Sequence, residues 1–355
     1  MQNTPRTGIL YWGKRGGGNR FAMNVALGME KSGVPFILVL SDHNENLDLY
    51  RSLLNCEIVL VSIDTSWKSV CFGYFGRNRK FKILIAQLHS RGVVDVVCMM
   101  PHIFDLQLHR ITKALGMKLS RIIHDFKRHP GDLWPNKISI FFRIKKSDNL
   151  FFLSKYVAQH TNTRKLPGVI LPFPEEFLVS NEGENFDITS SCDVLITGRM
   201  RKYKGLNQIP KIIEIMNQTF EVNFRLVGSG RAIKSQCTNL ITNNHWLSEK
   251  EFEDNIRGTK ILLLLHTEAS QSGLIPLAHR LGKWVVAPRI GGLGEQVHEG
   301  LDGFIYEPGS IESATEAIKK ALELESQGVK PKVLEESSFI PALFETLNEK
   351  IGVDD

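Results

Sequence analysis

Short continuous runs of Val, Ile, Leu and Phe recur along the chain, and the segments between them return an apolar residue every third or fourth position. In the first half the runs are TGILYWG (7–13), PFILVLS (35–41), EIVLVS (57–62), VVDVVCM (93–99), RIIHD (121–125), NLFFLS (149–154) and GVILP (168–172). DVLITG (193–198), FRLVGSG (224–230), KILLLL (260–265) and KWVVAP (283–288) continue the scheme, with a short apolar strand after Gly303. Runs that are apolar throughout suit strands covered on both faces. NRFAMNVALGMEKSG, LNQIPKIIEIMNQ and IESATEAIKKALELE carry the helical period between them. Alternation of this kind predicts an α/β protein with two Rossmann-like, doubly wound parallel sheets, one after the other.

A length of 355 residues fits two domains better than one core. LPFPEEFLVSNEGENF (171–186), rich in Pro, Glu and Asn, reads as the connection. The expected division is a first domain over 1–172, a linker over 173–190, a second domain over 191–330, and a helical segment over 331–355 that packs back on the first domain. Charge changes sign at the same place. Residues 1–170 hold 25 Lys and Arg against 11 Asp and Glu, whereas the remainder holds 19 against 27. A basic half suits nucleic acid, an anionic membrane surface or a phosphorylated substrate, and composition does not choose. The chain has no uncharged apolar run long enough to span a bilayer, and its first thirty residues lack a signal-peptide core. A cytoplasmic protein is expected. Five cysteines without CxxC spacing predict reduced thiols and no metal site.

Ligands of such sheets sit beyond the carboxyl ends of the strands, so those loops hold the candidate residues. GKRGGGNR (13–20) follows the first strand, and Gly16, Gly17 and Gly18 allow close backbone approach ahead of a helix N-terminus. Its spacing is not the GxGxxG dinucleotide fingerprint. In SRIIHDFKRHPGDLW (120–134) a strand ends on His124 and Asp125, with His129 five residues beyond His124 and no third ligand spaced for zinc. LITGRMRKYKGLNQIP (195–210) places Gly198, Arg199 and Lys204 before a helix expected to start at Gly205, a combination suited to a diphosphate. ILLLLHTEASQSGLIPLAHRLG (261–282) delivers Glu268 to a loop whose Ser270, Ser272 and Gly273 open a helix, with Pro276 in its first turn. A carboxylate for vicinal hydroxyls beside N–H groups for phosphate describes a sugar nucleotide.

The order of these parts is recognisable. Gly198-Arg199-x4-Lys204-Gly205, FRLVGSG, HWLSEKEFEDNI (245–256), the Glu268 loop with GLIPLA, and GGLGEQVHEGLDGF (291–304) together resemble the carboxyl-terminal domain of family 4 glycosyltransferases of the GT-B fold, in the style of bacterial exopolysaccharide or lipid-linked glycan enzymes. That resemblance implies two domains facing a central cleft. It implies a retaining, metal-independent hexosyltransferase without a cofactor, whose donor is a UDP- or GDP-linked sugar held by the second domain and whose glycan or lipid-linked acceptor is held by the first. By resemblance Arg199 and Lys204 hold the donor diphosphate, Glu268 touches the transferred sugar, backbone at Trp246 and Leu247 meets the base, and His124 lines the reaction centre. Gly198, Gly228, Ser270, Ser272, Gly273 and Leu274 complete the donor side, with Glu295 in support, and Gly16–Gly18, Asp125 and His129 the acceptor side. The chain departs from the family where a second glutamate ordinarily meets the ribose, since Ala278 stands there. A sugar-nucleotide 2-epimerase of the same fold and a non-catalytic sugar-nucleotide-binding protein are the alternatives.

SWKSVCFGYFGRNRKFK (66–82) interleaves aromatic with basic residues, and ISIFFRIKK (138–146) repeats the style. Such segments hold proteins at anionic bilayers, so the Trp67–Lys82 stretch is the expected membrane contact, with the protein peripheral at the inner face of the plasma membrane. Single-stranded nucleic acid suits a similar composition but leaves the second domain unexplained; no nucleic-acid partner is expected.

Overall fold

A computed structural model of the chain describes residues 5–63, 74–102, 107–127, 137–161, 168–174, 192–230, 237–333 and 338–349. His129, the linker from 175 to 190 and the 67–73 part of the aromatic–basic stretch lie outside the described residues. The chain divides into two compact units, Met1–Phe177 with Ser337–Asp355, and Leu178–Glu336.

In the first unit, strands β1 (Arg6–Tyr11), β2 (Phe36–Ser41), β3 (Glu57–Val61), β4 (Val93–Cys98), β5 (Lys118–Ile123), β6 (Asn149–Phe152) and β7 (Val169–Ile170) form one parallel sheet in the order β3-β2-β1-β4-β5-β6-β7. Helices α1 (Gly17–Lys31) and α2 (Leu47–Leu53) follow β1 and β2. After the order reverses, α3 (Tyr74–Ser90), α4 (Leu108–Ala114), α5 (Lys137–Lys145) and α6 (Lys155–His160) follow β3 to β6. Right-handed crossovers place α1 and α2 on one face and α3, α4 and α5 on the other. Ile37, Val39, Val96 and Leu119 of the strands pack with Leu84, Leu88 and Leu108 of α3 and α4. Burial of β1 and β2 on both sides is why they read as unbroken apolar runs.

The second unit repeats the order. Its strands β8 (Cys192–Thr197), β9 (Phe224–Val227), β10 (Leu240–Asn243), β11 (Thr259–Leu263), β12 (Trp284–Pro288) and β13 (Gly303–Tyr306) stand as β10-β9-β8-β11-β12-β13, again all parallel. Helices α7 (Ile209–Met216), α8 (Glu249–Arg257), α9 (Leu274–Arg280) and α10 (Ile311–Ser326) fill the crossovers. Ile212, Ile213 and Ile318 of α7 and α10 meet Val194, Leu226 and Ile261 on one face of the sheet. Strand β10 was not among the expected strands. It is an edge strand, LITN, half-buried at its first residue and exposed along the rest, so it carries no apolar run to read.

The last helix, α11 (Phe339–Glu349), belongs to the first unit, where Phe339 is buried with its ring 5.9 Å from that of Phe21 on α1.

Candidate functional site

In each sheet the strand order reverses beside one strand, and the connections on its two sides leave in opposite directions. That geometry opens a crevice at the carboxyl ends of the two strands. In the second unit these strands are β8 and β11, and the loops that follow them hold most of the candidate donor residues.

After β8 the chain turns at Gly198, whose φ of 103° is open to glycine alone. A Cβ there would lie 3.7 Å from Lys204 Nζ and 4.0 Å from Leu274 Cδ1, so the lysine ammonium and the start of α9 both converge on this turn. Gly228, at the end of β9, comes so near that a Cβ on it would stand 2.0 Å from the Gly198 carbonyl. No helix starts at Gly205, contrary to expectation. Two short 3-10 turns, Lys202–Lys204 and Leu206–Gln208, flank Gly205, which is left-handed at φ 64°, and α7 begins only at Ile209. A side chain at Gly205 would collide with the Leu265 carbonyl at 1.9 Å. The β8 loop therefore lies directly against the β11 loop.

Two further ties fix these two loops and a third fixes the β11 loop from its other side, and none was legible as a site feature. Thr267 donates to the Tyr203 carbonyl from its N–H at 2.7 Å and from Oγ1 at 3.1 Å. Gln208 Nε2 donates to the Leu265 carbonyl at 3.2 Å. Tyr203 precedes Lys204 and Thr267 precedes Glu268, so one clamp sets the positions of both charged residues. Gln296 forms the third tie, accepting from Ser272 N at 2.8 Å and donating to Ser272 O at 3.1 Å. It binds the Ser270–Gly273 loop to the glycine-rich turn that also carries Glu295, which is exposed.

Lys204 is the electrostatic centre of this arrangement. It is half-buried, and that burial pulls its pKa from 10.5 down to about 8. Among the described residues no carboxylate pairs with it. A partly desolvated ammonium without a counter-charge is costly, and an arriving anion relieves that cost. Arg199 is exposed and stands over the Trp246 ring, 5.7 Å from its centroid. Leu247, beside it, packs into the apolar cluster around Leu262 and Ile275. Ser270 and Ser272 are buried, and Ser272 Oγ accepts from Leu274 N at 3.3 Å. Ala278 lies fully buried in that same cluster, so the position that lacks a glutamate faces apolar side chains.

The first unit's reversal point lies between β1 and β4, and its crevice is of another kind. Gly16 caps α1 at φ 86° without any side-chain cap, and a Cβ on Gly17 would meet nothing within 4 Å. Buried amides hold this loop: Asn44 Nδ2 donates to the Gly13 carbonyl at 3.4 Å and to Asn19 Oδ1 at 2.9 Å, and the Tyr50 hydroxyl donates to Asn19 Oδ1 at 2.9 Å. His124 lies one residue past β5, not within it. It is buried, with Nε2 2.8 Å from the Met99 carbonyl and its ring edge-on to Phe21 at 4.6 Å. Burial lowers its pKa, so the imidazole is neutral near pH 7 and Nε2 carries the proton. Asp125 beside it is half-buried.

Among the described residues no group of three or more His, Cys, Asp or Glu is placed to hold a metal ion, and no helix is long and apolar enough to cross a membrane.

Residues 191–324 match the family model described as glycosyl transferases group 1. No curated protein sequence matches the chain. Solved structures do. The Anabaena protein HepE in complex with UDP and glucose superposes with a TM-score of 0.65 at 12% identity, over 98% of this chain and 97% of that one. Sucrose-phosphate synthase from Thermosynechococcus elongatus gives 0.66 at 11% identity, over 99% and 100%. A provisionally assigned UDP-N-acetylglucosamine 2-epimerase from Listeria monocytogenes gives 0.64 at 10% identity, over 99% and 97%. The fold is GT-B. Within that GT-B fold the group 1 match covers nearly the whole second sheet, from the residue before β8 into α10, and supports a glycosyltransferase.

Proposed function

We propose that the chain is a glycosyltransferase that moves a hexose from a nucleotide sugar, bound at the second unit's reversal point, to a glycan or lipid-linked acceptor bound by the first unit in cell-surface polysaccharide synthesis. The observation that carries this reading is the half-buried ammonium of Lys204, with no carboxylate paired to it among the described residues, beside Gly198 on a loop tied to the one that carries Glu268. A nucleoside diphosphate supplies the missing anion, and a sugar supplies hydroxyls for the carboxylate. HepE, crystallised with UDP and glucose on the same fold, supports the class of donor.

The chemistry follows from charge. As the sugar–phosphate bond breaks, negative charge grows on the diphosphate, and Lys204 with Arg199 stabilises it in place from fixed positions. Glu268 orients the sugar through its hydroxyls, and neutral His124 offers the reaction centre a hydrogen-bonding imidazole without a charge. With no metal in this scheme and no nucleophile assigned, the reading is retention of configuration by positioning of acceptor and donor on one face. Peripheral contact with an anionic membrane surface belongs to the same reading.

A thermal-shift panel of UDP-, GDP- and ADP-sugars tests it. A ligand at about 100 times its Kd adds roughly 2.7 kcal/mol of stability, which raises the melting temperature visibly. One nucleotide series stabilising the protein, with Lys204→Ala abolishing the shift, is the expected result. No shift with any nucleotide sugar would sink it. Incubation with the stabilising donor and no acceptor separates transfer from 2-epimerisation: slow hydrolysis marks a transferase, and a new epimer marks the other activity.

A further inference from the structure

The face of the first sheet covered by α3, α4 and α5 has a charge pattern that sugar transfer does not use. These three helices contain no Asp or Glu at all. Their outward positions include Lys80 and Lys82 on α3, Lys113 on α4 and Lys145 on α5, all exposed. Because the three crossovers run in one direction across the sheet, handedness gathers these cations on a single face.

Helix α5 adds an apolar element to it. Ile140, Arg143 and Ile144 are buried and hold the helix to the unit, with the Arg143 guanidinium donating to the His102 carbonyl. On the opposite side Phe141 and Phe142 remain 46% and 45% exposed, their rings edge to face at 6.0 Å. Lys145 Nζ stands 4.3 Å from the Phe141 ring centroid and Lys146 Nζ 5.4 Å from that of Phe142. Among the described residues neither lysine has a carboxylate partner.

Two adjacent phenyl rings held half in water on a well-anchored helix contribute little to folding, and rings of this kind mark contact surfaces. Flanked by ammonium groups on helices that carry no acid, they match the boundary of an anionic bilayer. The rings enter the acyl region while the lysine stems lie along it and lift their charges to the phosphates. We propose that this face docks the protein peripherally on an anionic lipid surface, with Phe141 and Phe142 as the inserted wedge and the cations of α3 and α4 as its electrostatic surround. This wedge on α5 stands beside the expected Trp67–Lys82 contact, of which Arg79–Lys82 joins the surround. The inference rests on the membrane contact of the proposed reading and gives it a place in the fold, and lipid binding is read without sugar transfer.

Flotation of the full chain with phosphatidylcholine vesicles, with and without phosphatidylglycerol, tests the proposal. Wild type should float with the anionic vesicles only, and less as salt rises. F141S/F142S should lower partitioning by about tenfold or more, and Lys145→Ser by about fivefold, while circular dichroism and melting stay those of wild type. F141L/F142L, which keeps the apolar volume, should retain most of the binding. Failure of wild type to bind anionic vesicles at low salt, or unchanged binding by F141S/F142S, overturns the proposal. So does the converse pattern, in which vesicles stay unbound and a labelled single-stranded oligonucleotide binds with a steep salt dependence that the same substitutions abolish.

Discussion

The two sheets share one strand order and differ in what stands at the point where that order reverses. In the second unit the crevice is built around charge: Lys204 is half-buried with no carboxylate paired to it among the described residues, and the bonds between Thr267 and Tyr203 tie its loop to the one that carries Glu268. In the first unit it is built from neutral amides, Asn19 and Asn44 with Tyr50, which hold a loop of three glycines, and from an imidazole that burial keeps uncharged. The same scaffold therefore holds its two crevices by different means, one with a half-buried lysine and one with a network of amides. We read that difference as the one between a donor and an acceptor site.

The strongest way to break the comparison is at Lys204. Replacing it by alanine should lower turnover by about a thousandfold, since a preorganised donor to developing charge is lost. Folding should not suffer. The folded-state pKa is depressed from 10.5 to about 8, so near pH 7 the native protein bears the cost of charging a half-buried group that the unfolded chain charges freely. Lys204→Ala should thus melt no lower than wild type at pH 7, and Tm with steady-state kinetics on one preparation checks both halves. In wild type, donor affinity should fall as pH rises through about 8, where the empty site loses its proton. A variant with normal turnover, or one that melts well below wild type, would remove charge as the organising feature of the second crevice.

The residues of that crevice were legible in the sequence to unequal degrees. Glu268 and Arg199 stand just after apolar runs, with Lys204 a short loop further on, and a parallel sheet forces such positions to the carboxyl edge. Both sheets were legible for the same reason, because strands buried on two faces leave unbroken apolar runs. Gly205 was misplaced at a helix start because a glycine before an amphipathic segment reads as a helix boundary, whereas its φ of 64° and the nearby Leu265 carbonyl make it a left-handed turn. Tyr203, Gln208, Thr267 and Gln296 gave no signal at all. Each acts through one or two hydrogen bonds to backbone some 24 to 64 residues away, and no local pattern encodes a bond of that range.

A second difference between the units concerns how a buried acid is held: Glu253 of the second unit is bridged by Arg257, whereas Asp95 of the first has no such cation among the described residues. Asp95 on β4 is almost fully enclosed, accepts from Ser120 Oγ at 3.1 Å, and sits in a chain that continues to Asn149 on β6. Burial raises its carboxyl from 3.8 to about 6. The stability it allows is whole below pH 3.8 and is lost as pH rises through 6, because the native state must then hold a charge in an apolar sheet. That loss is on the order of 3 kcal/mol between the two ends. Asp95→Asn should remove this part of the pH dependence and raise Tm at pH 7, with the wild-type and variant curves meeting toward pH 4. A variant curve that merely runs parallel to wild type would show that Asp95 is ionised and satisfied where it stands.

The smallest expected effect probes whether the neutral crevice owes its shape to the amide lock. Tyr50 is fully buried, and its hydroxyl contacts both Asn19 Oδ1 at 2.9 Å and the Asn19 carbonyl at 3.0 Å. Tyr50→Phe keeps the ring and deletes only these bonds, for about 1 to 2 kcal/mol of stability. Because Asn19 also receives Asn44, and Asn44 reaches the Gly13 carbonyl, the loop should loosen without leaving its place. KM for the acceptor should then rise by a few fold while KM for the donor stays fixed. The matching change in the second unit, Gln296→Leu, cuts the two bonds to Ser272 and should move donor KM alone by a similar factor. If either substitution shifted both constants together, the two crevices would be one energetic unit, and their different construction would no longer map onto separate substrates.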